Sequence, residues 1–159
     1  MNILVLCTGN SARSILLEAI LGRLGAPLGL RAYSAGSRPA GHVHPQSLRL
    51  LAGYGYPLEG LRSKSWEEFG EPGAPQMDAV ITVCGSAAGE SCPLWPGAPL
   101  RAHWGVEDPA ASAEADWPTA FQAAYDALFA RATYFIDQGP QALDRAGLRA
   151  LLTKAGQIT

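Results

Sequence analysis

Little of this sequence is charged, and what charge there is nearly cancels: 16% of the 159 residues are charged and the formal net charge is -2. A nucleic-acid-binding domain normally carries a basic stripe, so the balance argues against that class. No apolar run approaches the roughly 18–20 residues that a membrane span needs. The opening stretch, Met1-Asn2-Ile3-Leu4-Val5-Leu6-Cys7, lacks a basic segment, and its apolar run is too short for a signal peptide. A cytoplasmic location is therefore expected, with no nucleic-acid or membrane partner. Cysteine is also scarce. There are three, an odd number that fits poorly with a disulfide-stapled fold. In a reducing compartment such thiols read as catalytic, redox or metal groups before structural ones. No internal repeat, low-complexity tract or domain boundary is evident. A chain of 159 residues that is 48% hydrophobic fits one domain over 1–159 with a substantial core.

The chain is organised around Cys7-Thr8-Gly9-Asn10-Ser11-Ala12-Arg13-Ser14. An apolar run, Ile3-Leu4-Val5-Leu6, precedes it and a helical pattern follows, so the reading is strand, tight loop, helix. Such a loop stacks backbone N–H groups at a helix start, where an oxyanion sits well. The amides of Thr8, Gly9, Asn10, Ser11, Ala12 and Arg13 form the expected nest. A thiol at its floor, Cys7, faces those dipoles, and its pKa is expected to fall from about 8.5 to roughly 3.5–7.5. Arg13 offers a planar fork suited to a bidentate grip on a tetrahedral oxyanion. Ser14 can donate a hydrogen bond to the thiolate. Gly9 and Asn10 are residue types that tolerate left-handed backbone. The plainer alternative is that Cys7 is a small buried apolar residue at a strand end.

Beyond the loop, Leu16, Leu17, Ala19, Ile20, Leu21 and Leu24 recur at helical spacing, predicting a helix over about 13–24 that stops at Gly25. Leu30 to Ala35 reads as a second strand closed by Gly36-Ser37-Arg38-Pro39. Pro45 opens a second helix carrying Leu48, Leu50 and Leu51, with Gly53 behind. Ser65 caps a short helical piece reaching Phe69. Ala79 to Val83, rich in β-branched residues, is a third strand. Gly85 to Pro99 reads as a long functional or mobile loop, and Leu100 to His103 as a short strand. Asp116-Trp117-Pro118 opens the longest helix, with Phe121, Tyr125, Leu128, Phe129, Ala132 and Phe135 on its buried face. Pro140 begins a last helix burying Leu143, Leu148, Leu151 and Leu152, weakened by Gly147. Strands alternating with helices predict an α/β fold with a parallel sheet and helices on both faces. Ligands then bind at the carboxyl ends of the strands. Cys7, Cys84 and the segment after His103 all fall at that edge.

Cys84 ends the third strand and Cys92 follows in Cys84-Gly85-Ser86-Ala87-Ala88-Gly89-Glu90-Ser91-Cys92-Pro93. If Cys84 reaches Cys7, the parts of a thiol relay are present: a thiolate attacks sulfur, a disulfide forms and a second thiol resolves it. The alternatives are inert core thiols or a metal site. The Cys84–Cys92 gap exceeds the usual Cys-x2–4-Cys of zinc sites, and His42 and His44 read as solvated loop residues, so no metal is expected. Asp108-Pro109 is either a turn start or, beside an oxyanion nest, a general acid toward a leaving oxygen. Glu107 and Glu114 read as solvated.

The loop from Cys7 to Ser14 resembles the phosphate-binding loop of the low-molecular-weight protein tyrosine phosphatase family. With Cys84, Cys92-Pro93, His103-Trp104-Gly105 and Asp108-Pro109-Ala110, the chain from about residue 2 to 138 resembles the arsenate reductases built on that phosphatase fold. The resemblance implies a four-stranded parallel sheet in the order 2-1-3-4. It implies that Cys7 is the nucleophile on arsenic, that Asn10 supports the loop, that Arg13 binds the oxyanion, that Ser14 stabilises the thiolate and that Asp108 is the general acid. By the same resemblance Cys84 attacks the Cys7–arsenic adduct, releasing arsenite and leaving Cys7–Cys84. Cys92 then gives Cys84–Cys92, which an external reductant clears: thioredoxin, with glutaredoxin and glutathione as the alternative. No bound cofactor is implied, and the chain is expected to be a monomer. Phosphatases of the family usually follow the Asp-Pro with aromatic residues; here Ala110 and Ala111 follow, favouring arsenate or phosphate itself over an aryl ester. Some reductases of the family bind a monovalent cation near the loop, at positions matched by Glu18 and Ser34. Lys64 stands where a carboxylate is expected, so its ammonium either replaces the cation and pins the loop or is merely solvated. The competing functions are a phosphatase in which Cys84 and Cys92 are protective thiols, and a non-enzymatic anion or metal sensor.

Overall fold

Four short strands line up so that their carboxyl ends meet at one edge. They are β1 (Asn2–Leu6), β2 (Arg31–Ala35), β3 (Ala79–Thr82) and β4 (Leu100–His103). All pairings are parallel and the order is β2-β1-β3-β4, as expected. In register, Leu6 lies beside Ala35 and Thr82, and Thr82 beside His103. Cys7, Gly36, Cys84 and Trp104 therefore emerge from the same edge. The computed structural model describes residues 1–90 and 95–159. Cys92 lies outside the described residues.

The central strands are buried on both sides, which is why Ile3-Leu4-Val5-Leu6 and Ala79-Val80-Ile81 are almost continuously apolar. The two faces are covered unequally. Ile3, Val5 and Ile81 pack beneath α1 (Arg13–Gly25), α4 (Trp117–Asp137) and α5 (Arg145–Ala155), with Leu51 of α2 (Pro45–Gly53) joining the same cluster. Leu4, Leu6 and Val80 pack beneath Phe69 of a 3-10 turn (Trp66–Gly70), Met77 and Trp95. Each fully buried Leu, Ile or Phe contributes about 1.5–3 kcal/mol relative to exposure, so the helical face dominates the core. Among the described residues no helix is long and apolar enough to cross a membrane.

Most expected elements form, with informative differences. The stretch after Cys84, read as loop, contains a helical turn, α3 (Gly85–Gly89), N-capped by the Cys84 sulfur. Its Gly, Ser and Ala content hides it, because Gly and Ser favour loops when nothing else fixes the backbone. Phe129 is not on the buried face of α4; it is 36% exposed and stacks on Tyr125. Leu143 is also exposed, because Pro140 starts a separate 3-10 turn (Pro140–Ala142) and α5 begins later, capped by Asp144. Gly147 is tolerated there as the residue whose N–H meets that cap, Asp144 Oδ1, at 2.8 Å.

Candidate active site

The loop after β1 is shaped by where its carbonyls go. Thr8 O accepts from Arg38 N at 3.0 Å, Gly9 O from Ala40 N at 2.8 Å and Ser11 O from His44 N at 3.0 Å. Ser63 and Ser47 hydroxyls add bonds to Gly9 O and Ser11 O, each at 3.2 Å. These ties to residues 38–47 and Ser63 hold the loop's carbonyls outward; of the six amides expected in the nest, that of Asn10 is bonded to Cys7 O at 3.2 Å and that of Thr8 to Cys84 Sγ at 3.5 Å. α1 starts at Arg13 with Ala12 at its N-cap position and no side-chain cap, so its first N–H groups keep their capacity for an anion. Asn10 adopts left-handed backbone (φ 44°), as expected of the turn; Gly9 does not. The glycine this geometry requires is Gly36, at the end of β2. A Cβ there would sit 2.4 Å from Thr8 O and 2.6 Å from Cys7 O. The sequence reading treats Gly36 only as a turn residue, and only the three-dimensional approach of β2 to the loop reveals its role.

Behind the loop lies a buried polar rack. Asn10 Nδ2 donates to Ser14 Oγ and to Ser34 Oγ, both at 2.9 Å, and Asn10 Oδ1 accepts from Lys64 N at 2.9 Å. Ser34 in turn donates to Glu18. Asn10, Ser14 and Ser34 are fully buried. The structure thus brings together all four residues expected to support the loop. Lys64 is 7% exposed, not solvated, and its Nζ donates to Arg62 O at 3.0 Å. Burial pushes the Glu18 carboxyl up, while the Lys64 ammonium opposes that shift. Burial likewise lowers Lys64, against the pull of Glu18. These groups border a cavity of about 460 Å³ that also reaches Arg62 and Glu68.

At the mouth, Arg13 Nη1 donates to Val106 O at 3.0 Å and Nη2 pairs with Asp108 Oδ2 at 3.4 Å. Its Nε is buried and has no partner among the described residues. Asp108 also caps the following turn, accepting from Ala110 N at 3.2 Å. The turn and the general-acid readings therefore coexist in one side chain. His103 is bonded to Thr82 at 2.7 Å, and Trp104 is a core residue whose Nε1 donates to Leu152 O at 2.9 Å. His44 is not solvated: Nδ1 caps α2 at 3.1 Å from Gln46 N, and the ring packs against Trp117 and Phe121. Among the described residues no three metal-ligating side chains gather.

The two thiols differ from expectation. Cys7 and Cys84 are both buried, unbonded, and share a hydrogen bond. Cys84 Sγ also takes the Thr8 amide at 3.5 Å and the Ala87 amide at 3.4 Å, and lies 3.8 Å from Thr8 Oγ1. The Cys84 thiol is accordingly pushed down to about 5, first by the hydrogen bond from Cys7 and then by the Thr8 and Ala87 amides, against the cost of burial. Cys7 moves the other way. Its bond to Cys84 and its burial raise it, with Arg13 opposing. Two adjacent sulfurs sharing one charge place it where more donors converge. Ser14 Oγ is engaged by Asn10, and among the described residues no bond runs from it to Cys7. The shared hydrogen bond thus holds the Cys7 thiol up and draws the Cys84 thiol down. Nothing in the sequence marks that N–H groups from both Thr8 and Ala87 meet at Cys84.

A thiol at the base of an amide-lined loop, faced by a guanidinium and a carboxylate at the carboxyl edge of a parallel sheet, defines an oxyanion-binding thiol site. This chain belongs to the low molecular weight phosphotyrosine protein phosphatase family, whose sequence model matches residues 2–147. Among similar proteins are the arsenate reductase of Brevibacillus brevis, 33% identical over 134 residues that cover 84% of this chain and 92% of that protein, and the arsenate reductase of Bacillus subtilis, 32% identical over 139 residues, with 84% and 94% covered. An arsenate reductase solved in a phosphate-binding state superposes with a TM-score of 0.69 at 25% identity, covering 86% of this chain and 97% of that one. The tyrosine phosphatase Wzb of Escherichia coli K30, solved with sulphate, shares the fold, with a TM-score of 0.66 at 20% identity over 86% and 96% of the two chains.

Proposed function

We propose that this protein reduces arsenate to arsenite through a relay of its three cysteines. The observation that carries the reading is the second thiol, Cys84, hydrogen-bonded to the loop thiol Cys7 and held by Thr8 at the mouth of the oxyanion nest. A phosphatase needs only Cys7, Arg13 and Asp108; a reductase needs a neighbouring sulfur to take up two oxidising equivalents. The names borne by its relatives support the same choice of substrate.

In this reading arsenate enters the nest and displaces Asp108 from Arg13. That pair is half-exposed on the carboxylate side, at 45%, and such pairs hold with only about 0–1 kcal/mol. Proton transfer from Cys7 to an oxygen of the bound arsenate makes Cys7 the nucleophile. It attacks arsenic as Asp108, which takes up a proton from solvent once released from Arg13, passes that proton to the departing oxygen, which leaves as water. Cys84, as the thiolate, then attacks Cys7 Sγ. An S–S bond forms, the S–As bond breaks, arsenic gains two electrons and arsenite leaves. Cys92 attacks Cys84, frees Cys7 and leaves a Cys84–Cys92 disulfide for thioredoxin, or for glutaredoxin with glutathione, to reduce. No bound cofactor takes part, and the protein works as a cytoplasmic monomer. Asn10, Ser14, Ser34 and Glu18 hold the loop, with the Lys64 ammonium in the place of a monovalent cation. Residual phosphatase activity follows from the shared nest.

The test is Cys84→Ser. It is expected to retain single-turnover adduct formation and any phosphatase activity while losing catalytic arsenate reduction with thioredoxin. Continued multiple turnover would overturn the relay. Brisk aryl-phosphate hydrolysis with no arsenate reduction in the parent protein would favour the phosphatase reading instead.

A further inference from the structure

Thr8 holds two acidic partners with one hydroxyl. Its Oγ1 donates to Glu90 Oε1 at 3.2 Å and lies 3.8 Å from Cys84 Sγ. Cys84 and Glu90 are the N-cap and C-cap residues of α3, so both ends of this helical turn converge on the same threonine of the phosphate loop. The other Glu90 oxygen is buried and has no partner among the described residues, so Thr8 is the described group that holds this carboxylate. A hydroxyl has one proton to donate. An ionised carboxylate only accepts, so the Thr8 proton goes to Glu90 whenever the two are in contact. Thr8 Oγ1 is then open to sulfur only as an acceptor, which favours Cys84 as S–H. With Glu90 withdrawn, the hydroxyl turns and donates to sulfur, which favours the thiolate.

We propose that Glu90 is a positioning residue for Cys84, acting through Thr8: while its carboxylate holds the Thr8 hydroxyl proton, Cys84 is denied that donor, and when the carboxylate is taken off Thr8 the donor passes to Cys84. The assignment rests on the relay role proposed for Cys84, but its test does not use arsenate. The groups that face Cys84 are Cys7 from the end of β1, the Thr8 amide and hydroxyl from the loop, and the Ala87 amide within α3; Arg13 and Asp108 act on Cys7.

The experiment measures how fast Cys84 in the fully reduced, ligand-free protein is modified by methyl methanethiosulfonate across pH, with the site mapped by peptide mass spectrometry. Glu90→Ala is expected to raise the Cys84 rate below its midpoint by about 3- to 10-fold, the worth of one hydrogen bond redirected to sulfur, with Glu90→Gln in between. In a Thr8→Val background the Glu90→Ala effect should vanish, and Thr8→Ser should restore it. An unchanged Cys84 profile in Glu90→Ala overturns the proposal. So does an equal increase in the Thr8→Val background, because that would be a through-space charge effect rather than a switched hydroxyl. Failure of arsenate reduction with this coupling intact would count against the proposed function alone.

Discussion

The two sides of the phosphate loop are built on opposite terms. Behind it, the polar atoms of Asn10 are all engaged: three bonds of 2.9 Å run from this one side chain to Ser14, Ser34 and the Lys64 backbone, in a region without solvent. In front of it, Arg13 Nε and one Glu90 oxygen are buried without described partners, and the guanidinium is shared with a half-exposed Asp108. A fully satisfied rack is rigid and costly to disturb. A mouth closed by weak pairs opens cheaply to an anion that offers better ones. The loop is thus fixed from behind and left unfinished in front, which is what a preorganised oxyanion site requires.

Changes on the two sides should separate accordingly. Arg13→Lys removes the fork while keeping the charge. It should lower kcat/KM for arsenate by about 10²–10³-fold, the cost typical of losing one oxyanion donor, with little change in melting temperature; steady-state kinetics beside a thermal melt checks both. Asn10→Ala attacks the rack and strands Ser14, Ser34 and the Lys64 amide. Buried groups left unpaired cost about 1–3 kcal/mol each, so a loss of at least about 2 kcal/mol, or roughly 4–8 °C in Tm, should appear before any kinetic defect is considered. The smallest effect concerns Lys64. With its ammonium buried beside Glu18, potassium should leave the reductase rate unchanged relative to sodium; strong, specific activation by potassium would mean that Lys64 does not fill a cation's place.

The sequence foretold much of this and missed specific parts for physical reasons. β1, β3, α1 and the position of α2 follow from local periodicity and from Pro45, and the structure places them there. Cys7, Arg13 and Asp108 meet because strand ends meet. Gly36 was illegible as a site residue because its role is a contact across two strands. The outward ties from Arg38, Ala40 and His44 are backbone bonds that no residue type announces. Phe129 fits the apolar stripe of α4 yet stacks outward on Tyr125, since periodicity does not say where a helix face runs past the core. The lowering of Cys84 depends on its bond to Cys7 and on which amides reach its sulfur, one of them from α3, a turn concealed in a Gly- and Ala-rich stretch. Glu90, unremarked in the sequence, becomes visible only because that turn brings it back to Thr8.

One measurement bears most directly on the proposed relay. The reduced protein is treated with arsenate alone, with no external donor, and its peptides are mapped by mass spectrometry. The relay predicts a Cys84–Cys92 disulfide, one arsenite released per chain, and neither product with phosphate. Three free thiols after arsenate treatment, with an aryl phosphate rapidly hydrolysed by the same sample, would contradict it.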